Sequence, residues 1–241
     1  MWGFTAPLGI LFRRWDFTRT VVTVCVALYV LSLLIDPSGL LRGRDPFSLL
    51  SPTGSALDAL GMTGASAWRR GRWWTLLTAI YLHGGALHIL FNMLWIRQLG
   101  PGVEEIYGPA RLTVIFTVAG AAGSLASILW GISFTIGASG SVFGLLGALV
   151  AFGRKRGGTF GRMVLRQYGT WALAMFVLSF FMPGVNNIGH AGGFVGGFLT
   201  GLVLSPAERQ AERGGAWLTA LACVALTLLS FALALWTAFV R

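Results

Sequence analysis

The middle of the chain holds the stretch GASGSVFG, residues 137–144, inside a run from 112 to 153 that has no charged residue. Such a run, in a chain that is 55% hydrophobic and only 11% charged, indicates helices that span a membrane. Gly140 and Gly144 stand four residues apart, a spacing that lets two membrane helices pack closely. Because Ser139 lies among these small residues at the start of an apolar helix, it is either a packing residue or a nucleophile.

The net charge of +10 raises the question of nucleic acid binding. The arginines lie mainly between apolar segments, however, where basic residues set membrane topology and contact lipid headgroups. We therefore expect a lipid bilayer and no nucleic acid as the partner. Cys25 and Cys223 fall inside apolar segments without the spacing of a metal site, so we interpret both as packing residues.

Seven apolar segments predict the fold class, an all-α polytopic membrane protein. We expect a cytoplasmic tail over residues 1–19, a six-helix core over 20–204, a charged link over 205–216 and an additional C-terminal transmembrane helix over 217–241. Within the core, helices are predicted over 20–35, from about 86, and over about 110–130, 139–152, 168–182 and 189–204.

The connections between these segments are also uneven in length and composition. Residues 36–72 form a long connector, whose apolar residues favour a loop partly embedded in the membrane. Gly84 and Gly85 are expected to break the next segment, so that a short interfacial helix precedes the second spanning helix. Five basic residues between 154 and 166 predict the densest basic loop.

The basic residues, counted loop by loop, predict the orientation of the chain. With the N-terminus inside, the cytoplasmic side carries twelve Lys and Arg residues and the outer side carries six. Since cytoplasmic loops are enriched in basic residues, we expect the N-terminus in the cytoplasm and the C-terminus outside, in a plasma or inner membrane.

Ser139 and His190 are predicted to lie at nearly the same depth. Ser139 stands fifteen residues before Arg154, or about 22 Å along a helix, and His190 stands sixteen before Pro206, or about 24 Å. In a hydrocarbon core of about 30 Å, both lie several ångströms below the outer surface. Two polar groups at one depth in one bundle can meet, which is the arrangement of a serine nucleophile and a histidine base.

His88 and Asn92 form a second polar pair, one turn apart on one face of the second spanning helix. Such a pair either links two helices by hydrogen bonds or donates to a developing oxyanion. His83, His88 and His190 together raise the possibility of a metal site, but no acidic residue or cysteine accompanies them at matching depth. We therefore expect neither a metal nor a cofactor.

Three of these segments, in this order, resemble the motifs of the rhomboid family of intramembrane serine proteases. HILFN at 88–92 is similar to the family's H-x-x-x-N, GASG at 137–140 to its G-x-S-G, and GHAGG at 189–193 to its final histidine element. The resemblance runs from about residue 73 to 201 and implies a six-helix rhomboid-like core with one added C-terminal helix. It implies a catalytic dyad of Ser139 and His190 without an acidic member, and an oxyanion hole from His88, Asn92 and the Ser139 backbone.

The resemblance also implies supporting roles for residues near the serine. Phe143, one turn after Ser139, matches an aromatic position that in the family packs against the catalytic histidine, and Gly137 and Gly140 flank the serine. Glycines recur every four residues along the sixth helix, which would let it pack tightly against the fourth. These glycines are Gly189, Gly193, Gly197 and Gly201.

One pair of residues departs from the family pattern. Trp74 and Thr75 stand where the family usually has Trp-Arg, and Arg72 or Arg70 is a candidate to replace that arginine. The departure concerns the anchoring of the first loop and its contact with lipid more than the chemistry.

The expected function is that of an intramembrane serine endopeptidase, which cleaves transmembrane segments of other membrane proteins near the outer membrane face. A non-catalytic rhomboid-like protein that binds transmembrane segments is the alternative, and it would be expected to lack Ser139 or His190. A channel or transporter would predict internal repeats or paired broken helices, and none is evident. The sequence assigns neither a physiological substrate nor an oligomeric state.

Overall fold

The computed structural model of the chain describes residues 16–41, 48–204, 206, 212 and 214–240. Within these ranges the fold is all-α, and the only β pairing is a single antiparallel bridge between Thr63 and Thr135. Seven long helices and three short ones follow one another along the described chain. The long helices are α1 (Phe17–Ile35), α5 (Ala86–Tyr107), α6 (Pro109–Leu129), α7 (Ser139–Arg156), α8 (Gly158–Ser179), α9 (Asn187–Val203) and α10 (Gly214–Phe239), and the short ones are α2 (Gly54–Ala59), α3 (Ala65–Arg69) and α4 (Thr75–Thr78).

The length and surface of these helices are those of a polytopic membrane protein. Among the described residues, α1, α6 and α10 are each long and apolar enough to cross a membrane, and α4 with its following 3-10 turn meets the same criterion together with α5. Large apolar side chains are exposed along the outside of the bundle, where lipid can cover them. By contrast, α7 is buried from Ser141 to Gly153 along almost its whole length, so it is the central helix.

The first helix begins slightly earlier than its apolar pattern predicts. Asp16 caps α1 by accepting a hydrogen bond from the Arg19 backbone at 2.8 Å, so residues 17–19, predicted as part of the tail, are helical. The rest of that tail, residues 1–15, lies outside the described residues. The last helix likewise begins at Gly214, three residues before the predicted start.

The predicted basic loop between 154 and 166 is wrong. Helix α7 continues to Arg156 and α8 begins at Gly158, so that only Gly157 separates them. Gly157 has a φ of +62°, a left-handed conformation that glycine adopts without strain. Hydropathy indicates which part of a helix lies in lipid, whereas the helical backbone can continue into water. Basic residues at the C-terminal end of α7 also interact favourably with the helix dipole.

The predicted break at Gly84 and Gly85 is confirmed. The segment from Thr75 to Tyr81 forms α4 and a 3-10 turn, and α5 begins at Ala86 after a bend of 91°. The two glycines therefore let a short element lie across the end of the bundle before the chain enters the spanning helix.

Glycines set the close contact between α7 and α9. A Cβ atom on Gly193 would overlap the backbone of Gly140, and one on Gly197 would overlap the backbone of Gly144. The helices can therefore approach only because these positions lack side chains. The predicted tight packing of the sixth spanning helix on the fourth is confirmed.

The long connector before α4 packs on the end of the bundle where α5, α7 and α9 begin. Thr63 pairs with Thr135 through backbone bonds of 2.8 and 3.3 Å, which join the connector to the turn before α7. Of the two candidate arginines, Arg72 is 2% exposed and donates to the Asp58 carboxylate and carbonyl, both at 2.7 Å, whereas the more exposed Arg70 donates only to the carboxylate at 2.6 Å. Arg72 is therefore the buried anchor of this loop.

Candidate active site

A cavity of about 790 Å³ lies at the end of the bundle where α5, α7 and α9 begin. Each of these helices contributes a polar side chain to its lining: His88 and Asn92 from α5, Ser139 from α7 and His190 from α9. No Asp or Glu lines it among the described residues. The cavity is mostly apolar with a few convergent polar groups, which is the usual character of a small binding or catalytic site.

Ser139 is the first residue of α7, at the point where a tight turn enters the helix. The preceding Gly137 has a φ of +118°, and its N–H donates to the Ala79 carbonyl at 2.9 Å. The structure brings the Ser139 Oγ to 2.9 Å from the Nε2 of His190, which is 51 residues away in sequence. This is the hydrogen-bond distance that a nucleophile and its general base require.

The ring of His190 is held by an aromatic contact. Phe143 stacks on it with a centroid distance of 4.4 Å and an interplanar angle of 19°. The Nδ1 atom of His190 is buried and makes no hydrogen bond within the described part of the chain. The orientation of the imidazole therefore depends on stacking and on the helix backbone instead of on a carboxylate.

His88 presents its Nε2 atom to the turn that precedes Ser139. Its Nδ1 accepts a hydrogen bond from the Gly84 backbone at 3.2 Å, so in the neutral ring the proton is on Nε2. A Cβ atom on Gly137 would lie 2.6 Å from this Nε2, which explains why a glycine stands there. His88 thus offers an N–H donor to the cavity, beside the turn that leads to the serine.

Asn92 lies one turn below His88 and is buried at the wall of the cavity. Its amide donates to the His88 carbonyl at 2.8 Å, a bond within α5 that links no second helix. The second amide hydrogen is available to a group that enters the cavity. His83, the third histidine, is fully buried and packs edge-on against His88 with centroids 5.1 Å apart.

Three polar residues at the site are not among the sequence-based candidates. Asn186 caps the helix that carries His190, and its amide reaches Ser127 on α6 and Thr135 in the turn before Ser139. An asparagine before an apolar helical segment is a helix-start signal that the sequence does contain. Its two amide partners, 59 and 51 residues away, have no signature in the local sequence.

Fold and site together define a polytopic membrane protein with a serine and a histidine in hydrogen-bond contact at one end of its helical bundle. Comparison with protein families places the Rhomboid domain on residues 70–207, more than half of the chain. The chain belongs to the rhomboid family, and the resemblance stated from its motifs is confirmed.

Known relatives agree with this assignment. Rhomboid protease GluP of Bacillus subtilis (strain 168) is 38% identical over 154 residues, which cover 61% of this chain and 29% of that protein. RHOMBOID-like protein 5 of Arabidopsis thaliana is 34% identical over 166 residues, 65% of this chain and 52% of that protein. Putative rhomboid protease YdcA of B. subtilis is 31% identical over 131 residues, 54% of this chain and 66% of that protein. The chain thus spans about half or less of the length of the first two relatives.

Proposed function

We propose that this protein is an intramembrane serine endopeptidase that cleaves transmembrane segments of other membrane proteins through a dyad of Ser139 and His190. The observation that carries the proposal is the 2.9 Å contact between Ser139 Oγ and His190 Nε2 inside a cavity of the helical bundle. Membership of a family that includes a protein named as a rhomboid protease supports the same reaction class.

The first half of the reaction transfers the substrate's acyl group to the serine. The Ser139 Oγ attacks the carbonyl carbon of the scissile peptide bond, and at the same time the His190 Nε2 takes the proton of the serine hydroxyl. When the tetrahedral intermediate collapses, the same Nε2 returns that proton to the nitrogen of the leaving peptide. In the second half, a water molecule gives a proton to His190 and attacks the acyl-serine. When the second tetrahedral intermediate collapses, its bond to Oγ breaks, His190 returns the proton to Oγ, and the acid product leaves a restored Ser139.

The developing negative charge on the carbonyl oxygen needs hydrogen-bond donors. In the proposal these are the Nε2–H of His88, the second amide hydrogen of Asn92 and the N–H of Ser139. Because Ser139 is the first residue of α7, its N–H has no partner within the helix, and the helix dipole also favours an anion there. Gly140 follows in the same first turn, and Phe143 keeps the base in place.

The position of the site predicts which substrates react well. A peptide bond inside a transmembrane helix is shielded by its own backbone hydrogen bonds, and an unpaired backbone group in lipid costs several kcal/mol. We therefore propose single-span substrates with glycine, proline or other helix-weakening residues near the outer end of the span and a small residue before the cut. In this proposal the N-terminus is cytoplasmic and the site opens near the outer face, as the basic residues predict.

The test is cleavage of a single-span reporter by the purified protein in liposomes. Ser139→Ala and His190→Ala should each abolish cleavage and labelling by a fluorophosphonate, and the double variant should lose no more, because the two residues act as a unit. Ser141→Ala is the matched control, since Ser141 lies two residues along the same helix and its hydroxyl donates to the Phe116 carbonyl at 2.7 Å. It should keep both activities.

The outcomes separate the proposal from its alternative. Labelling that persists in Ser139→Ala would show that another residue is the nucleophile. A wild-type protein that binds the reporter without labelling or cleavage would favour the non-catalytic function. Replacement of the reporter's helix-weakening residues with leucine should slow cleavage strongly, and equal rates would contradict the requirement for unwinding.

A further inference from the structure

Asn186 lies where three separate parts of the fold meet beside the dyad. Its side-chain Oδ1 accepts a hydrogen bond from the Gly189 backbone at 2.9 Å, which caps the start of α9. Its Nδ2 donates to the Ser127 hydroxyl on α6 at 2.7 Å and to the Thr135 hydroxyl at 2.9 Å. One amide group therefore joins the helix of the histidine, the neighbouring helix and the turn that leads to the serine.

Helix capping alone does not explain these contacts. A cap needs only the oxygen acceptor, which serine or aspartate supplies equally well. The two amide hydrogens of Asn186 instead reach across to Ser127 and Thr135, both of which lie outside α9. Ser127 is fully buried, and its hydroxyl also donates to its own helix at the Gly123 carbonyl, so its position is fixed from a second side.

Both ends of this link are directly connected to the reacting residues. On the α9 side, the His190 N–H donates to the Asn186 carbonyl at 3.1 Å, so the cap residue also holds the backbone of His190. On the other side, Thr135 stands four residues before Ser139, and its backbone is paired with Thr63. A shift of Asn186 relative to Thr135 would therefore change the separation of Ser139 and His190.

The packing around the amide leaves little freedom for such a shift. A Cβ atom on Gly189 would lie 3.0 Å from both the Asn186 Nδ2 and the Ser127 Oγ, closer than ordinary van der Waals contact. Glycine at this position therefore lets the amide sit against α6. The side chain is half-buried, and its hydrogen bonds to α6, to α9 and to the turn define one arrangement of the three.

We propose that Asn186 is a positioning residue, which through Thr135 and Ser127 fixes the distance between His190 and Ser139. This inference rests on the proposed function, because it concerns the geometry of the same dyad. The bond to Thr135 is the part specific to catalysis, whereas the bond to Gly189 serves the stability of α9.

The experiment separates these two contributions with matched substitutions. Asn186→Ser keeps a capping oxygen but is too short to reach Thr135, and Thr135→Val removes the acceptor while leaving the cap intact. Each should lower kcat for the reporter by roughly tenfold with KM nearly unchanged, because a small misplacement of reacting groups lowers the rate of chemistry more than substrate binding. The double variant should lose no more kcat than the less active of the two single variants, since both changes break the same hydrogen bond.

Two further variants serve as controls. Asn186→Asp should keep activity close to wild type, because a carboxylate can cap α9 and accept a hydrogen bond from the Thr135 hydroxyl, which preserves the link to the turn before Ser139. Thr200→Val removes a hydroxyl of α9 that donates only to its own helix at the Gly196 carbonyl, at 2.7 Å, and should leave kcat unchanged. The thermal midpoint of each variant shows whether a kcat loss follows from lost stability.

The results can overturn the positioning role while the proposed function stands. If wild type cleaves, Ser139→Ala does not, and both Asn186→Ser and Thr135→Val keep wild-type kcat, the positioning role is wrong. Additive losses in the double variant, or an equal loss in Thr200→Val, would contradict it as well. If wild-type protein fails to cleave or label at all, the proposed function fails and the inference falls with it.

Discussion

Substitution of Gly193 by alanine should separate the two helices that carry the dyad. Gly193 lies three residues after His190 on α9 and faces Gly140, which directly follows Ser139 on α7. A Cβ atom at Gly193 would overlap the carbonyl oxygen of Gly140 and would lie 2.7 Å from its Cα, whereas ordinary contact begins at 3.4 Å, so the helices must move apart by at least about 0.7 Å. The atom it meets is backbone, which no side-chain rotation can relieve.

The consequence for the chemistry follows from the length of the catalytic hydrogen bond. The Ser139 Oγ and the His190 Nε2 are 2.9 Å apart, and an added separation of this size extends the pair beyond good hydrogen-bond geometry. We expect kcat to fall roughly ten- to a hundredfold, together with a loss of stability of about 1–3 kcal/mol from overpacking. Reporter cleavage and the rate of fluorophosphonate labelling measure the first effect, and thermal unfolding in the same lipid measures the second.

Gly169→Ala is the matched control for this change. Gly169 is also a helical glycine, but a Cβ atom there meets nothing within 4 Å, so alanine should be tolerated and can stabilise α8 slightly. If Gly193→Ala cleaves the reporter within about twofold of wild type, the close approach of α7 and α9 does not set the dyad distance, and the reasoning is refuted.

The other predictions concern the groups around the dyad. His88→Ala and Asn92→Ala should each lower kcat by roughly 10–10³-fold, because the Ser139 N–H remains as a donor, and unchanged rates would leave both residues with a structural role only. Phe143→Leu should reduce kcat by up to roughly tenfold, since a stacked aromatic contact contributes about 0.5–1.5 kcal/mol, and Phe143→Tyr should restore most of it. Arg72→Met should lower stability by about 2 kcal/mol, seen as a fall of several degrees in the thermal midpoint, because the Asp58 carboxylate and carbonyl lose the hydrogen bonds that Arg72 donates to them. An unchanged midpoint would show that the loop needs no such anchor.

The predicted and observed helices show which helix boundaries hydropathy can predict and which it cannot. The third spanning helix was predicted over 110–130 and runs from Pro109 to Leu129, and the break at Gly84 and Gly85 is where the glycine pair predicts it. The basic segment was wrongly predicted as a loop because α8 begins at Gly158, ten residues before its apolar part, so its first turns carry basic residues. A helix in water keeps its backbone hydrogen bonds, so its charged turns cannot be told from a loop by hydropathy.

The sequence by itself determined which residues leave water and which polar residues accompany them into the bundle. Uncharged runs, glycines spaced by four and the isolated Ser139 and His190 are local patterns, and the free energy of transfer into lipid acts on each segment separately. Only the tertiary structure decided that Ser139 and His190 lie 2.9 Å apart, that Arg72 and not Arg70 is the buried partner of Asp58, and that the Asn186 amide spans three elements. These contacts join residues 14 to 59 positions apart. The contact between Ser139 and His190 forms because glycines let the backbones of α7 and α9 come together, a distance that no single segment encodes.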